Sequence, residues 1–207
     1  APYASSGEVK IRLTAKSKTT EAAEQLIQPL ERELINRTDL KCYGSNNESL
    51  ASVVLELLRK RGETLAIAES CTGGGLGAAL TAIPNSSDVF LGGVIAYSNN
   101  IKQELLSVPN ATLTKYGAVS NQVAQMMATG VKTKINSDWS IGISGLAGPG
   151  GETNSKPIGQ VHIAIAGPKR TEVYQKNFAP HRGRLEIQKL SVICGLDNLR
   201  LLVLSQS

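Results

Sequence analysis

Thr64-Leu65-Ala66-Ile67-Ala68-Glu69-Ser70-Cys71-Thr72-Gly73-Gly74-Gly75-Leu76-Gly77-Ala78-Ala79-Leu80 is the stretch that decides the fold. Residues 64–69 are a short, mostly apolar run and read as a strand. A glycine-rich turn follows, then a segment with the make-up of a helix over 74–83. A strand passing through a tight turn into a helix is the repeating unit of layered α/β proteins.

Downstream the alternation continues. Residues 92–97 read as a strand, 99–106 and 120–135 as helices, and 139–144 as another strand. Strands at 159–166 and 172–178 flank Gly167-Pro168-Lys169-Arg170 as a hairpin, and 182–204 reads as a closing helix. Upstream, a helix over 49–61 is ended by Gly62. The expected fold is an α/β/α sandwich with a largely parallel central sheet and an antiparallel edge. A small β-α piece precedes it. Val9, Ile11 and Leu13 alternate with Lys10 and Arg12 as a strand. Thr20 then caps a helix to about residue 37, with Ala23, Leu26, Ile27, Leu30 and Leu34 on one face. The polar break Tyr43-Gly44-Ser45-Asn46-Asn47 divides the chain into 1–44 and 45–207.

Composition narrows the function. The chain has 207 residues, 41% of them hydrophobic, with 20 glycines, which suits a globular protein and excludes disordered and collagen-like classes. The longest uncharged stretch, 70–87, is rich in Thr, Ser and Gly, so no membrane span is expected. The net charge of +5 is spread along the chain, aromatics are 4%, and no basic run exceeds Arg59-Lys60-Arg61. That is not the footprint of a nucleic-acid binder, and it leaves a mild preference for anionic small molecules. Cys42, Cys71 and Cys194 are odd in number and form no C-x-x-C, so neither a disulfide framework nor a zinc site is expected. This suits a reducing cytoplasm, and the first ten residues lack the apolar core of a signal peptide. Glu69, Asp88, Asp138 and Glu152 stand apart, so no metal is expected. The chain begins Ala-Pro without Met, as a processed product or a fragment would.

Three polar loops follow apolar strands: 69–75, 97–102 and 144–151. Parallel strands would bring them to one edge, where ligands of α/β sheets bind. The first loop offers a hydroxyl, a thiol and N–H groups at a helix start, which attract an anion or an oxyanion. It is neither a Walker loop nor a G-x-S-x-G elbow, and it can equally be a tight connection. Ser70 and Cys71 are both candidate nucleophiles, since a thiol at a helix N-terminus is activated and a hydroxyl needs a base. His162 alternates inside a strand as a packed residue would, and His181 is poorly placed. Lys102, desolvated, could accept a proton; otherwise it is a solvated helix residue. Tyr97 lies five residues before it.

Ala68-Glu69-Ser70-Cys71-Thr72-Gly73-Gly74, Tyr97-Ser98-Asn99, Gly117-Ala118-Val119-Ser120, Ser144-Gly145-Leu146-Ala147-Gly148-Pro149-Gly150-Gly151 and Lys156-Pro157-Ile158-Gly159 resemble the CinA C-terminal family over residues 48–204. Residues 8–44, with Ile11-Arg12-Leu13-Thr14-Ala15-Lys16, resemble the end of the KH-like middle domain of full-length CinA. The family's N-terminal molybdopterin-binding-like domain, a partner in the full-length protein, has no counterpart in the chain.

The resemblance implies a bacterial, cytoplasmic, oligomeric nicotinamide-nucleotide amidase of pyridine nucleotide recycling, needing no cofactor or metal. It would convert nicotinamide mononucleotide to nicotinic acid mononucleotide and ammonia. It makes Ser70 the nucleophile, with Tyr97 and Lys102 as partners. Substrate contacts would come from Thr72, Gly73, Gly74, Asn99, Gly145, Ala147 and Gly148, with the oxyanion on N–H groups of 72–74 and the phosphate on Arg182. The chain departs from the family pattern at Ala96, His181, Glu186 and Ile187. The alternatives are a degenerate module that senses a nucleotide without hydrolysing it, and a KH-type nucleic-acid binder. The latter needs a G-x-x-G loop, and residues 1–44 carry only Gly7 and Gly44.

Overall fold

The computed structural model describes residues 1–5 and 7–206. The chain divides into two compact units, residues 1–47 and 48–207.

In the first unit, β1 (Pro2–Ser5) and β2 (Glu8–Ile11) form an antiparallel hairpin that leads to α1 (Thr20–Thr38). The strand expected over 9–13 is thus shorter, and its partner β1 carries no alternation that would announce it. Thr19, not Thr20, caps α1: its side chain accepts from the Ala22 N–H at 3.2 Å. The apolar face of α1 stays open, with Leu26 62% and Leu30 49% exposed. A hairpin and one helix bury too little surface to make a core alone.

The second unit is the α/β sandwich. Its elements are α2 (Leu50–Arg61), β3 (Leu65–Glu69), α3 (Gly75–Thr81), β4 (Phe90–Ile95), α4 (Asn99–Leu106), α5 (Asn110–Tyr116), α6 (Asn121–Ile135), β5 (Trp139–Gly145), β6 (Gln160–Ala166), β7 (Thr171–Asn177) and α7 (Gly183–Ser205). The sheet runs β4-β3-β5-β6-β7. The first three strands are parallel, while the pairings of β6 with β5 and of β7 with β6 are antiparallel. The antiparallel edge is therefore two strands wide, and the sheet is mixed. Within this unit α5, a single short stretch opened by Pro109, is not among the elements expected from the sequence.

Sequence dictates both helix ends and helix faces. Ser49 and Ser52 cap α2 reciprocally, and Gly62, with φ of 63°, stops it. Alternate β5 residues face opposite layers. Ile141 and Ile143 lie close to Gly195 of α7, whereas Ser140 donates to the Ala128 carbonyl of α6 at 2.7 Å. At Gly142 a Cβ would stand 2.6 Å from Ala124 O and from Ala128 N, so only glycine lets α6 lie this close. Ala66 and Ala68 of β3 pack with Val123, Met127 and Val131 of α6 in one buried cluster.

Candidate active site

The parallel strands deliver their C-terminal ends at one level. Glu69 pairs with Ile95 on one side and Ile143 on the other. Ser70 extends the ladder by one bond, its N–H donating to Ile143 O at 3.0 Å, and Ala96 N–H donates to Glu69 O at 2.7 Å. The chain beyond Ala96 turns into α4, whose N-cap Ser98 accepts from the Ile101 N–H. One turn later Lys102 reaches back under the sheet edge.

Lys102 and Ser70 are brought together. The Lys102 Nζ lies 3.1 Å from Ser70 Oγ, 2.7 Å from Ala96 O and 3.3 Å from Tyr97 O. Lys102 is 1% exposed and Ser70 8%. Its hydrogen-bond partners are a hydroxyl and two main-chain carbonyls, with no carboxylate to hold the charge. Burial therefore lowers the lysine pKa, with a smaller opposing pull from the Cys71 thiol. An amine shared with a hydroxyl in this setting can take its proton.

Cys71 loses the advantage expected of it. Burial pushes its thiol up to about 12. The helix start that would have activated it is already occupied by a carboxylate. Glu69, 1% exposed, accepts from the N–H groups of Gly74 and Leu76 at 3.0 Å and of Gly77 at 2.8 Å. An anion built into the chain thus satisfies the donors of α3. In the sequence Glu69 is an isolated acid; its place just before a glycine-rich helix start is the signal that it caps that start.

This overturns part of the expected oxyanion site. Gly74 N–H belongs to Glu69, and Gly73 N–H donates to Ser70 O at 3.2 Å. Gly75 N–H donates to Thr72 O at 3.0 Å. Among the described residues, the Thr72 N–H has no hydrogen bond, and the buried Thr72 Oγ1 has none either. Of the three expected donors only Thr72 remains available.

The other expected residues are scattered in role. Tyr97 is 61% exposed; its carbonyl faces Lys102, but its phenol accepts from Arg184 Nη2 at 2.9 Å rather than meeting Ser70 or Lys102. Arg182 is exposed and its side chain pairs with Glu186; among the described residues it makes no side-chain hydrogen bond to the three loops. Arg184 does: its Nη1 donates to Gly148 O at 2.9 Å. The exposed Asn99 sits at the first turn of α4. Gly145 serves strand pairing, since a Cβ there would meet Gln160 O at 2.9 Å. Ala147 is buried, and Gly148 has φ of 81° beside Ile158. Ser144 anchors the segment 117–120 by donating to Ala118 O at 2.7 Å. His162 is the packed residue expected. Its Nδ1 lies 2.6 Å from Asn121 Oδ1, and burial with the nearby Lys156 charge lowers its pKa. Among the described residues no three metal-ligating side chains cluster.

Sequence reasoning missed Arg184 and Gln188. Gln188 Nε2 donates to Cys71 O at 2.7 Å. A helical stripe at 184, 188 and 192 was the available signal, and Val192 indeed lies against Gly75.

A model described as the CinA C-terminal domain matches residues 47–203, and one described as the damage-inducible protein CinA KH domain matches residues 1–44. A CinA-like protein of Prochlorococcus marinus is 58% identical over all 207 residues, which cover 48% of that relative. One of Nostoc punctiforme is 51% identical over 201 residues, 97% of this chain and 48% of its own length. The chain thus spans about half the length of the curated relatives it matches. Among solved structures, competence/damage inducible protein CihA from Agrobacterium tumefaciens is 34% identical with a TM-score of 0.72, over 77% of this chain and 99% of that one. A CinA superfamily protein from Klebsiella pneumoniae is 32% identical with a TM-score of 0.73, over 78% and 99%.

Proposed function

The chain belongs to the CinA family, and from that premise we propose that it is an amidohydrolase that converts nicotinamide mononucleotide to nicotinic acid mononucleotide and ammonia. The observation that carries the reading is the buried contact of 3.1 Å between Lys102 Nζ and Ser70 Oγ, made without a carboxylate counter-ion. Hydrolysing a carboxamide needs a nucleophile, a base that can later act as an acid, and a donor for the oxyanion. The site offers all three.

The neutral Lys102 amine takes the Ser70 proton as Oγ bonds to the carboxamide carbon. The carbonyl oxygen becomes an oxyanion, which the Thr72 N–H is free to receive. Collapse breaks the C–N bond, and Lys102 returns its proton so that ammonia leaves. Water then attacks the Ser70 ester, giving its proton to Lys102, and the carboxylate product departs with the hydroxyl restored. Arg184, joining Tyr97 to the loop at Gly148, supplies positive charge at the mouth for an anionic substrate.

Ammonia release from nicotinamide mononucleotide by the purified chain tests the reading. Ser70→Ala should abolish release, and Cys71→Ala should keep most of it. Full activity in the Ser70→Ala protein, or none in the unaltered chain, would refute it.

A further inference from the structure

The turn that carries Ser70 has one peptide whose orientation its own hydrogen bonds leave undetermined. Gly73 N–H donates to Ser70 O, so residues 70–73 form a β-turn with Cys71 and Thr72 at its centre. The ends of such a turn stay in place whichever way the central peptide points. Rotating it by about half a turn exchanges type I for type II. In a trans peptide the carbonyl and the next N–H point in opposite directions. The direction of Cys71 O therefore sets the direction of Thr72 N–H.

That carbonyl is held from outside the turn. Gln188, in the second turn of α7, donates its Nε2–H to Cys71 O at 2.7 Å. Hydrogen-bond accounting makes the consequence specific. The N–H groups of Ser70, Gly73, Gly74, Gly75, Leu76 and Gly77 are all committed within the strand, the turn or the Glu69 carboxylate. Among the described residues the N–H groups of Cys71 and Thr72 make no hydrogen bond to another residue, and of these two it is the Thr72 N–H that lies on the far side of the peptide that Gln188 holds. The flipped turn needs a positive φ at Thr72, which its β-branched side chain disfavours, and no positive φ occurs there. Gln188 and the Thr72 side chain therefore favour the same orientation.

We propose that Gln188 is a positioning residue for the oxyanion: by holding the Cys71 carbonyl it keeps the Thr72 N–H oriented to donate to the carbonyl oxygen of the group that Ser70 attacks. The inference rests on the amidase reading for its substrate, but its geometry concerns any acyl transfer at Ser70. Gln188 touches neither the substrate nor the reacting atoms in this scheme. Its loss should affect the tetrahedral state and spare ground-state binding.

The test compares Gln188→Met, which keeps the length and loses the donor, with Gln188→Lys, which keeps a donor. Each is measured with nicotinamide mononucleotide for kcat and KM, and with a fluorophosphonate for the rate of Ser70 labelling followed by mass spectrometry. Removing an oxyanion donor outright costs about 100-fold to 1000-fold in kcat, and a loosened one should cost less, about 10-fold to 100-fold. Gln188→Met should show that loss in kcat and in labelling rate, with KM within about twofold and the same thermal midpoint. Gln188→Lys should recover most of both rates. A Met variant with unchanged kcat or unchanged labelling would overturn the proposal, as would an equal loss in the Lys variant. If the unaltered chain released no ammonia yet labelled at Ser70 in a Gln188-dependent way, the substrate reading would fall while the positioning role stood.

Discussion

Lys102 is the residue on which the proposed chemistry turns. Burial lowers its pKa, so the neutral amine is present at a lower pH than for an ordinary lysine. A base must be neutral to act, so the rate should rise with pH along a limb placed below the ordinary lysine value. Lys102→Arg should remove that limb together with most of the turnover, because a guanidinium keeps its proton. A pH–rate profile of the two proteins decides this; an unchanged limb in the Arg variant would assign it to another group. Stability follows the same sign. Between the lowered and the ordinary value the unfolded chain holds a proton that the folded chain has released, so this site favours folding more as pH rises. Glu69 makes a different demand, since three N–H groups converge on its carboxylate. Glu69→Gln presents an amide donor to at least one of them. Hydrogen bonds to a charged group contribute about 1.5–3 kcal/mol each, so a loss of about 2–4 kcal/mol is expected in urea unfolding. A change below about 0.5 kcal/mol would mean that the carboxylate does not hold the turn.

At the scale of elements, α6 and α7 clamp the sheet, and each depends on residues too small to interfere. Gly142→Ala would put a methyl group 2.6 Å from Ala124 O and from Ala128 N. Neither backbone atom can move without shifting α6. The expected cost is about 3 kcal/mol, at the upper end of overpacking, with a fall in thermal midpoint of several degrees. A midpoint unchanged in scanning calorimetry would show that the helix has slack at this crossing. The other clamp joins the core to the candidate site: α7 buries Ile187, Leu190, Leu196 and Leu199 in the core while its first turns send Arg184 and Gln188 to the loops. Arg182, the sequence-based choice for the phosphate, pairs with Glu186, while Arg184 is the arginine that meets the loop at Gly148. Which of two arginines two residues apart reaches a loop depends on helix phase, and α7 begins only after the short turn Pro180–Arg182.

For the whole molecule, the division at residue 47 separates a sandwich with a full core from a hairpin and helix without one. Residues 48–207 expressed alone should unfold cooperatively in urea and retain ammonia release; loss of either would tie the site to residues 1–47. Much of this organisation was legible beforehand. Strand and helix periodicity, the serine caps and the glycine stops act over a few residues, so the α/β layering, the convergence of three loops and the candidates Ser70 and Lys102 could be read locally. What the sequence could not determine were relations between distant segments. The Nζ of Lys102 meets Ser70 across 32 positions, and Gln188 meets Cys71 across 117. Whether Gly73 and Gly74 offer their N–H groups to a ligand also depended on where the Glu69 carboxylate lies. Tertiary structure decided these matters, because a buried donor or charge must find a partner, and which partners are within reach depends on how the layers pack.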